Sequence, residues 1–376
     1  MNKKLPNSKK IANAKKIAND ESGTHDRSHA SKTHRQRAVI ITQTPMRITL
    51  AGGGTDVDWY SDVKGGAWIS ATINRYLIVT LTMTEDSHFV GYSYGQEATQ
   101  SNSYKDIPNP YVKACLEHAD VKSGISVNIT SEVSGRSGLG GSGALEVGLL
   151  NALYTYKGES ISKTLLGKKA YTIEKVKLGR NFIGPQDQYI VAHGGINYYE
   201  RDTKGNVTME PVSLSLHTIS ELESNLLYFR TGIYRDAGKA LADTANKANQ
   251  AKKSSDGKKD AKHFKALDAI KKLGQKAKKY LETGDVDAFG RTFDEHWKIK
   301  KTLSDQVSNP QIDEWYKEAM MAGALGGKIM GAGGGGWFVF YVKDDKAAFR
   351  KRMKEIGLEE RKIRFDFEGT KTLVNF

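Results

Sequence analysis

Ten residues, GRSGLGGSGA (135–144), carry the densest chemical signal in the chain. Their glycines leave backbone N–H groups free to point at a ligand. Ile125, Val127 and Ile129 alternate with polar residues just before them, and an amphipathic run from Leu145 to Tyr156 follows. A glycine loop between a strand and a helix gathers amide hydrogens and the positive end of a helix dipole at one point, and both favour a phosphate. Two further glycine segments, AGGGTD (51–56) and GGKIMGAGGGG (326–336), stand on either side in sequence.

Two common phosphate-loop patterns fail here. The pattern G-x-x-x-x-G-K-[ST] is met at Gly135, Gly140 and Ser142, but Gly141 stands where the lysine belongs, so the cation that meets the β- and γ-phosphates is missing. The dinucleotide pattern G-x-G-x-x-G is met at Gly138, Gly140 and Gly143. It is met again at Gly331, Gly333 and Gly336, in the reverse context of a helix before and a strand after. That pattern also requires a second strand ending in an acid about 20 residues on. The corresponding region, Ser162 to Leu178, has helical spacing at Leu165, Leu166, Ala170, Ile173 and Val176.

The elements that must hold these loops come in both halves of the chain. Val39–Ile41, Arg47–Leu50 and Tyr76–Met83 read as strands, Gly194–Glu200 as another, and KGN (204–206) as a hairpin turn. A second half opens with the strand-like LLYFRTG (226–232), continues as mostly helical sequence to Ala324, and closes on a glycine loop running into the buried strand Trp337–Val342. Strands and helices mix without strict alternation, which predicts two α+β domains meeting near residues 215–225. No repeat of period 20–50 is present.

The chain has 376 residues, enough for two cored domains. It has 38% hydrophobic and 27% charged residues, and no apolar run reaches the ~18 residues of a spanning helix. A single cysteine, Cys115, excludes an internal disulfide framework and points to a reducing cytoplasm. The start, MNKKLPNSKK, is basic without an apolar region behind it, unlike a secretory signal.

The net charge of +14 is uneven: residues 1–37 carry +7 and residues 239–280 carry +9, which leaves −2 elsewhere. The first of these reads as a disordered basic tail, too poor in apolar residues to offset the entropy of ordering. Its His25, His29 and His34 have no cysteine or carboxylate framework to make a metal site. From Ala248 to Tyr280, Phe264, Leu267, Ile270 and Leu273 form one helical stripe with lysines opposite, after a loop at SSDG (254–257). Both basic segments read as solvated; attachment to nucleic acid or an anionic surface is the alternative.

Taken together the three glycine segments resemble a family. SGLGGSGA (137–144) resembles the phosphate loop of the GHMP small-molecule kinases (galacto-, homoserine, mevalonate and phosphomevalonate kinases). PMRITLAGGGTD (45–56) resembles that superfamily's N-terminal substrate motif, and KIMGAGGGGWFVF (328–340) its C-terminal glycine motif. The order and approximate spacing also match, so the resemblance covers residues 38 to about 345. AGGGTDVDWY, QDQY, GGIN and GALGGKIMGAGGGG look most like the heptose 7-phosphate kinases and related sugar kinases. Galactokinases carry Gly-Glu-His-Thr-Asp where this chain has Gly53-Gly54-Thr55-Asp56, which argues against galactose.

The resemblance implies an α+β, two-domain GHMP kinase architecture. An ATP-binding domain like domain 2 of ribosomal protein S5 would span residues 38–218, and a ferredoxin-like α/β domain residues 219–376. It implies ATP and Mg²⁺ as cofactors and a small-molecule sugar or sugar phosphate as substrate. No membrane partner is implied, and nucleic acid only through the tail.

Residue by residue, the resemblance makes Asp187 the catalytic carboxylate that orients or deprotonates the attacking hydroxyl. Arg47 becomes the cation beside it. Gly53, Gly54, Thr55 and Asp56 become the sugar-binding segment, and Gly135, Ser137, Gly138, Leu139, Gly140, Gly141, Ser142 and Gly143 the ATP loop. Ser142 and Glu174 become the Mg²⁺ ligands, and Gly331, Gly333, Gly334 and Gly335 the motif that brings backbone close to the phosphates or sugar. Each has a structural alternative: a helix cap for Asp187, a surface ion pair for Arg47, a turn cap for Asp56, a solvent-facing glutamate for Glu174, and helix–strand packing for the last glycines. The loop has Gly141-Ser142 where the family has Ser-Ser, and Val133-Ser134 where a proline is usual. Arg235, Lys298 and Lys300 are candidates for a distal sugar phosphate.

The reaction so implied is transfer of the ATP γ-phosphate to a sugar hydroxyl, with the anomeric hydroxyl of a heptose 7-phosphate as the best fit. The alternatives are a galactokinase- or fucokinase-like activity, a nucleotide-binding protein without catalysis on the same scaffold, and a nucleic-acid binder acting through its basic segments.

Overall fold

Thirteen residues, Val39–Ala51, form the single strand β1 in this computed structural model, which describes residues 39–135, 137–233, 243 and 257–376. The sequence reads there as two strands, Val39–Ile41 and Arg47–Leu50, with Pro45 between them. The chain absorbs the proline at a break in register: Pro45 pairs with Tyr76, but Met46 pairs with Ile73. A bulge of this kind is where a sheet tolerates a residue that cannot donate to the ladder.

Its partner β2 (Gly66–Met83) is longer than the predicted Tyr76–Met83. The first eight residues of β2 are buried on both faces, so they show no alternation to read. A hairpin of β3 (Val90–Tyr94) and β4 (Glu97–Ser101) follows, with β3 parallel to β5 (Ile125–Ser131). β6 (Ile196–Arg201) lies on the first half of β2 and turns at 202–206 into β7 (Val207–Pro211), as the KGN segment predicts.

A second, wholly antiparallel sheet runs β11-β8-β10-β9, from β8 (Leu226–Arg230), β9 (Gly326–Ile329), β10 (Trp337–Tyr341) and β11 (Glu359–Arg361). Phe229, Phe338, Phe340 and Phe349 close its core, with Phe338 and Phe340 stacked at 4.9 Å. The chain then returns to the first sheet: β12 (Phe365–Asp366) pairs with β2, and β13 (Lys371–Asn375) pairs with β1. The main path of that nine-stranded sheet is β13-β1-β2-β5-β3-β4.

Ten helices cover these sheets among the described residues. α1 is Asp58–Lys64, α2 Pro110–Ala119, α3 Gly141–Tyr156, α4 Lys163–Thr172, α5 Gln186–His193 and α6 Leu216–Asn225. α7 is Gly257–Glu282, α8 Val286–Lys300, α9 Pro310–Met321 and α10 Lys346–Glu355. In α7, Leu267, Ile270 and Leu273 are buried as the stripe predicts. No described helix is long and apolar enough to cross a membrane. The basic tail, Arg235, the segment 248–256 and most of SSDG lie outside the described residues.

One local departure matters for the site. The predicted helix Ser162–Leu178 is two pieces: α4, then a π-helical turn at Ile173–Lys177. The wider turn carries Glu174 inward, where it is only 4% exposed, so it does not face solvent.

Candidate active site

A cavity of about 570 Å³ opens where the three glycine segments meet. β1 supplies Arg47 and Thr49 to its wall, and α5 begins beside it with Asp187 in its first turn. Pro185 holds the cap position of α5 with no side-chain cap bond, so Asp187 is not used to start the helix.

Arg47 and Asp187 meet in a fork. Arg47 donates from Nε to Oδ1 and from Nη2 to Oδ2, both at 2.7 Å, and from Nη1 to the Gly138 carbonyl at 2.5 Å. Its side chain is 6% exposed and that of Asp187 is 25% exposed, so this is not a surface ion pair. Parallel charge-assisted bonds fix both planes. The Arg47 N–H also donates to the Leu139 carbonyl at 2.9 Å, which ties the phosphate loop to β1 through backbone as well as side chain. Gly140 and Gly143 make room for the pair. A Cβ on Gly140 would lie 2.8 Å from Arg47 Cγ, and one on Gly143 would lie 2.9 Å from Asp187 Cβ.

Gly53, Gly54 and Asp56 line the cavity, as do Trp59, Leu267 and Leu303. Asp56 Oδ2 accepts the Gln186 N–H at 3.3 Å. Burial pushes its carboxyl pKa up, and the nearby Asp187 charge adds to this. Thr55 does not line the cavity. It is fully buried; its hydroxyl donates to the Gly52 carbonyl at 2.8 Å and accepts the Ala67 N–H at 3.0 Å. Its side chain therefore shapes the turn that presents Gly53, Gly54 and Asp56.

Ser142 and Glu174 also line the cavity, with Tyr94, Asn109, Pro110 and Tyr111. The Glu174 carboxylate accepts Gln188 Nε2 at 2.6 Å and the Tyr111 hydroxyl at 3.2 Å, and Arg180 stands 3.9 Å away. Burial raises its pKa, with Asp187 the next contribution. One hydroxyl and one carboxylate on a cavity wall fit a hard divalent cation that takes its remaining oxygens from phosphates and water. No group of three or more His, Cys, Asp or Glu that could hold a metal without such help occurs among the described residues.

Gly135, Ser137, Gly138, Gly140 and Gly141 line the cavity alongside Ser142. Leu139 points into the core, and Gly143 packs on Asp187. Of Gly331, Gly333, Gly334 and Gly335 only Gly331 lines the cavity, with Lys328, Ile329, Met330 and Ala332 beside it. Gly331 touches Gly138 backbone to backbone: its Cβ would fall 2.8 Å from the Gly138 Cα. Gly333 packs against Val307 and Gly335 against Ile233, so these two serve packing; Gly334 donates its N–H to the Val307 carbonyl at 2.6 Å.

Gln186, His296 and Lys328 also line the wall, though no sequence argument gave them a role. Gln186 donates Nε2 to Thr49 Oγ1 at 2.9 Å, while its own Oε1 is buried without a partner. His296 and Lys328 meet across α8 and β9, with Lys328 Nζ 3.4 Å from His296 Nδ1 and 2.8 Å from the Leu50 carbonyl that accepts it. Burial pushes both pKa values well below their ordinary range. Lys300 also lines the cavity, whereas Lys298 is exposed and pairs with Asp294 at 2.6 Å.

Comparison with known proteins agrees with this layout. Residues 110–195 match the GHMP kinases N terminal domain, and residues 277–357 match GHMP kinases C terminal. The chain is 33% identical over 320 residues to a D-glycero-alpha-D-manno-heptose 7-phosphate kinase of Campylobacter jejuni, covering 82% of this chain and 90% of that one. It is 25% identical to a galactokinase of Pyrococcus furiosus, covering 82% and 90%. Among solved structures, a D-glycero-D-manno-heptose 1-phosphate kinase from Bacteroides thetaiotaomicron superposes with a TM-score of 0.70 at 24% identity, covering 90% of this chain and 99% of the other.

Proposed function

We propose that this chain, which belongs to the GHMP kinase family and is an ATP-dependent sugar kinase, phosphorylates the anomeric hydroxyl of D-glycero-D-manno-heptose 7-phosphate. The observation that carries the reading is the Arg47–Asp187 fork, bound to the phosphate loop at Gly138 in a cavity that Gly53, Gly54 and Asp56 also line. The 33% identity to a kinase named for that substrate supports the choice of sugar. We further propose that residues 38–218 act as the ATP-binding domain and 219–376 as the C-terminal one, and that the protein works in the cytoplasm.

In this reading the phosphate loop and the N-terminus of α3 hold the β- and γ-phosphates by backbone N–H groups. Tyr94, Pro110 and Tyr111 offer an apolar and aromatic wall to the adenine. Asp56, Gly53 and Gly54 hold sugar hydroxyls, with the buried Gln186 Oε1 as a further acceptor. Asp187 accepts the proton of the attacking hydroxyl as its oxygen bonds to the γ-phosphorus, while the bond to the β–γ bridging oxygen breaks and ADP leaves with the electron pair. Arg47 holds Asp187 aimed through its two parallel bonds. Ser142 and Glu174 would hold Mg²⁺, which when bound neutralises phosphate charge.

Phosphorus NMR of the protein with Mg-ATP and the heptose 7-phosphate tests the reading directly. The expected result is a new anomeric phosphate signal rising with ADP. ADP without that signal sinks the substrate assignment; no ADP with any sugar sinks the kinase reading.

A further inference from the structure

We propose that Lys300 is a catalytic residue whose ammonium contacts the transferring phosphoryl group; the proposal rests on the kinase reading above. Lys300 ends α8 and lines the cavity together with Arg47, Asp187 and Ser142. Its Nζ donates to the Gly331 carbonyl. Gly331 packs on Gly138, and the Gly138 carbonyl accepts Arg47. Two cations are thus anchored to two touching glycine loops, and the charge of Arg47 acts on Lys300. This places Lys300 beside the reacting end of the phosphate loop rather than at a remote end of the acceptor.

Donor arithmetic distinguishes Lys300 from its neighbours. An ammonium carries three N–H donors. Lys328 meets the Leu50 carbonyl, His296 Nδ1 and the face of Phe293, 4.7 Å to the ring centroid. Lys298 pairs with Asp294, and Lys301 pairs with Asp313 at 3.0 Å. Lys300 has one hydrogen bond, to Gly331, and no carboxylate within 4.0 Å among the described residues. Two N–H groups are left for the cavity. A partly buried cation without a counter-ion among the described residues is costly unless an anion arrives in the working state.

The phosphoryl group in flight supplies that anion. As the acceptor oxygen bonds to phosphorus and ADP departs with the electron pair, negative charge spreads over the three equatorial oxygens. Lys300 donates to one of them and keeps its proton; the hydroxyl proton goes to Asp187. Because the contact is strongest in the transition state, it acts on kcat more than on KM.

The test compares full-length wild type, Lys300→Met, Lys300→Arg and Lys301→Met in steady-state assays with Mg-ATP and the acceptor that wild type phosphorylates. Loss of a preorganised donor of this kind lowers kcat by about 100-fold or more. Lys300→Met should show that loss with both KM values within about three-fold, Lys300→Arg should recover part of it, and Lys301→Met should match wild type. A second readout is calorimetric. Binding of ADP alone should be unchanged in Lys300→Met, while binding of ADP with aluminium fluoride and acceptor weakens by the factor lost from kcat. Lys300→Gln replaces the methionine variant should that variant fail to fold. An unchanged kcat overturns the proposal. So does a raised KM for the acceptor at full kcat, which would assign Lys300 to the acceptor's own phosphate. Wild type inactive on every sugar would instead defeat the kinase reading, before any variant is compared.

Discussion

Arg47 and Asp187 lie 140 residues apart in sequence and face each other across two bonds of 2.7 Å, with the third arm of the guanidinium on the Gly138 carbonyl. The fork makes one rigid unit of a strand, a helix start and the phosphate loop. It also leaves the carboxylate a quarter exposed toward the cavity, enough for a substrate hydroxyl to reach it.

Asp187→Asn keeps the shape and removes the base. The expected outcome is a kcat lower by about 10²–10⁴-fold, the range for a lost general base. Arg47 would remain buried with one arm facing an amide N–H₂, at a cost of about 1–3 kcal/mol. A coupled ADP assay reads the first effect and thermal melting the second. Turnover within a few-fold of wild type would exclude Asp187 as the base.

Gly143→Ala changes no charge. Its new Cβ would lie 2.9 Å from Asp187 Cβ, so the first turn of α5 has to move. Misplacement on the ångström scale at a reacting group is worth about 100-fold. We expect kcat to fall by about that much while ATP binding, read by calorimetry, stays close to wild type. Unaltered kcat would show that Asp187 tolerates displacement.

Glu174→Gln tests the metal side. The amide can still accept from Tyr111 but carries no charge for a divalent cation. The concentration of Mg²⁺ needed for half-maximal activity should rise by about 10- to 100-fold, measured by titration at fixed ATP. An unchanged Mg²⁺ requirement would remove Glu174 from the metal site.

Lys300 sets an alkaline limit. Burial, then the charge of Arg47, push its ammonium down to about 8, while the facing His296 and Lys328 are themselves shifted low by burial. The ammonium is therefore present below that pH and lost as pH rises through it. In a profile of kcat/KM for ATP, which reports the free enzyme, activity should fall on a limb centred near 8. Lys300→Arg, with a guanidinium that stays charged above pH 12, should move the limb upward. A limb that stays in place in the arginine variant would assign it to another group.

The parts legible in sequence are those where residue type is itself the signal. Glycine runs at 51–56, 135–144 and 326–336 mark where backbones approach a ligand or each other, and Gly138 against Gly331 is such an approach. The amphipathic stripe of α7 was readable because one face is wet. Gly66–Ile73 was not, since a strand covered on both faces has no period to detect. Glu174 sits in a helical pattern that looks solvated, and only the π-turn, which is not encoded in hydrophobic spacing, turns it inward. The His296–Lys328 contact depends on how α8 crosses β9, a tertiary fact that no local motif announces. Thr55 stands inside a motif, and its hydroxyl is used by the turn itself.

The return of residues 365–375 to the first sheet has a consequence for synthesis. β1 is made long before β13, and one of its edges pairs Ile40 with Asn375. That edge stays open until more than three hundred further residues have been made, and closing so large a loop is slow. An open strand edge through that interval is a template for pairing with other nascent chains. Yield in a cell should therefore depend on the pace of translation and on chaperones that shield β1.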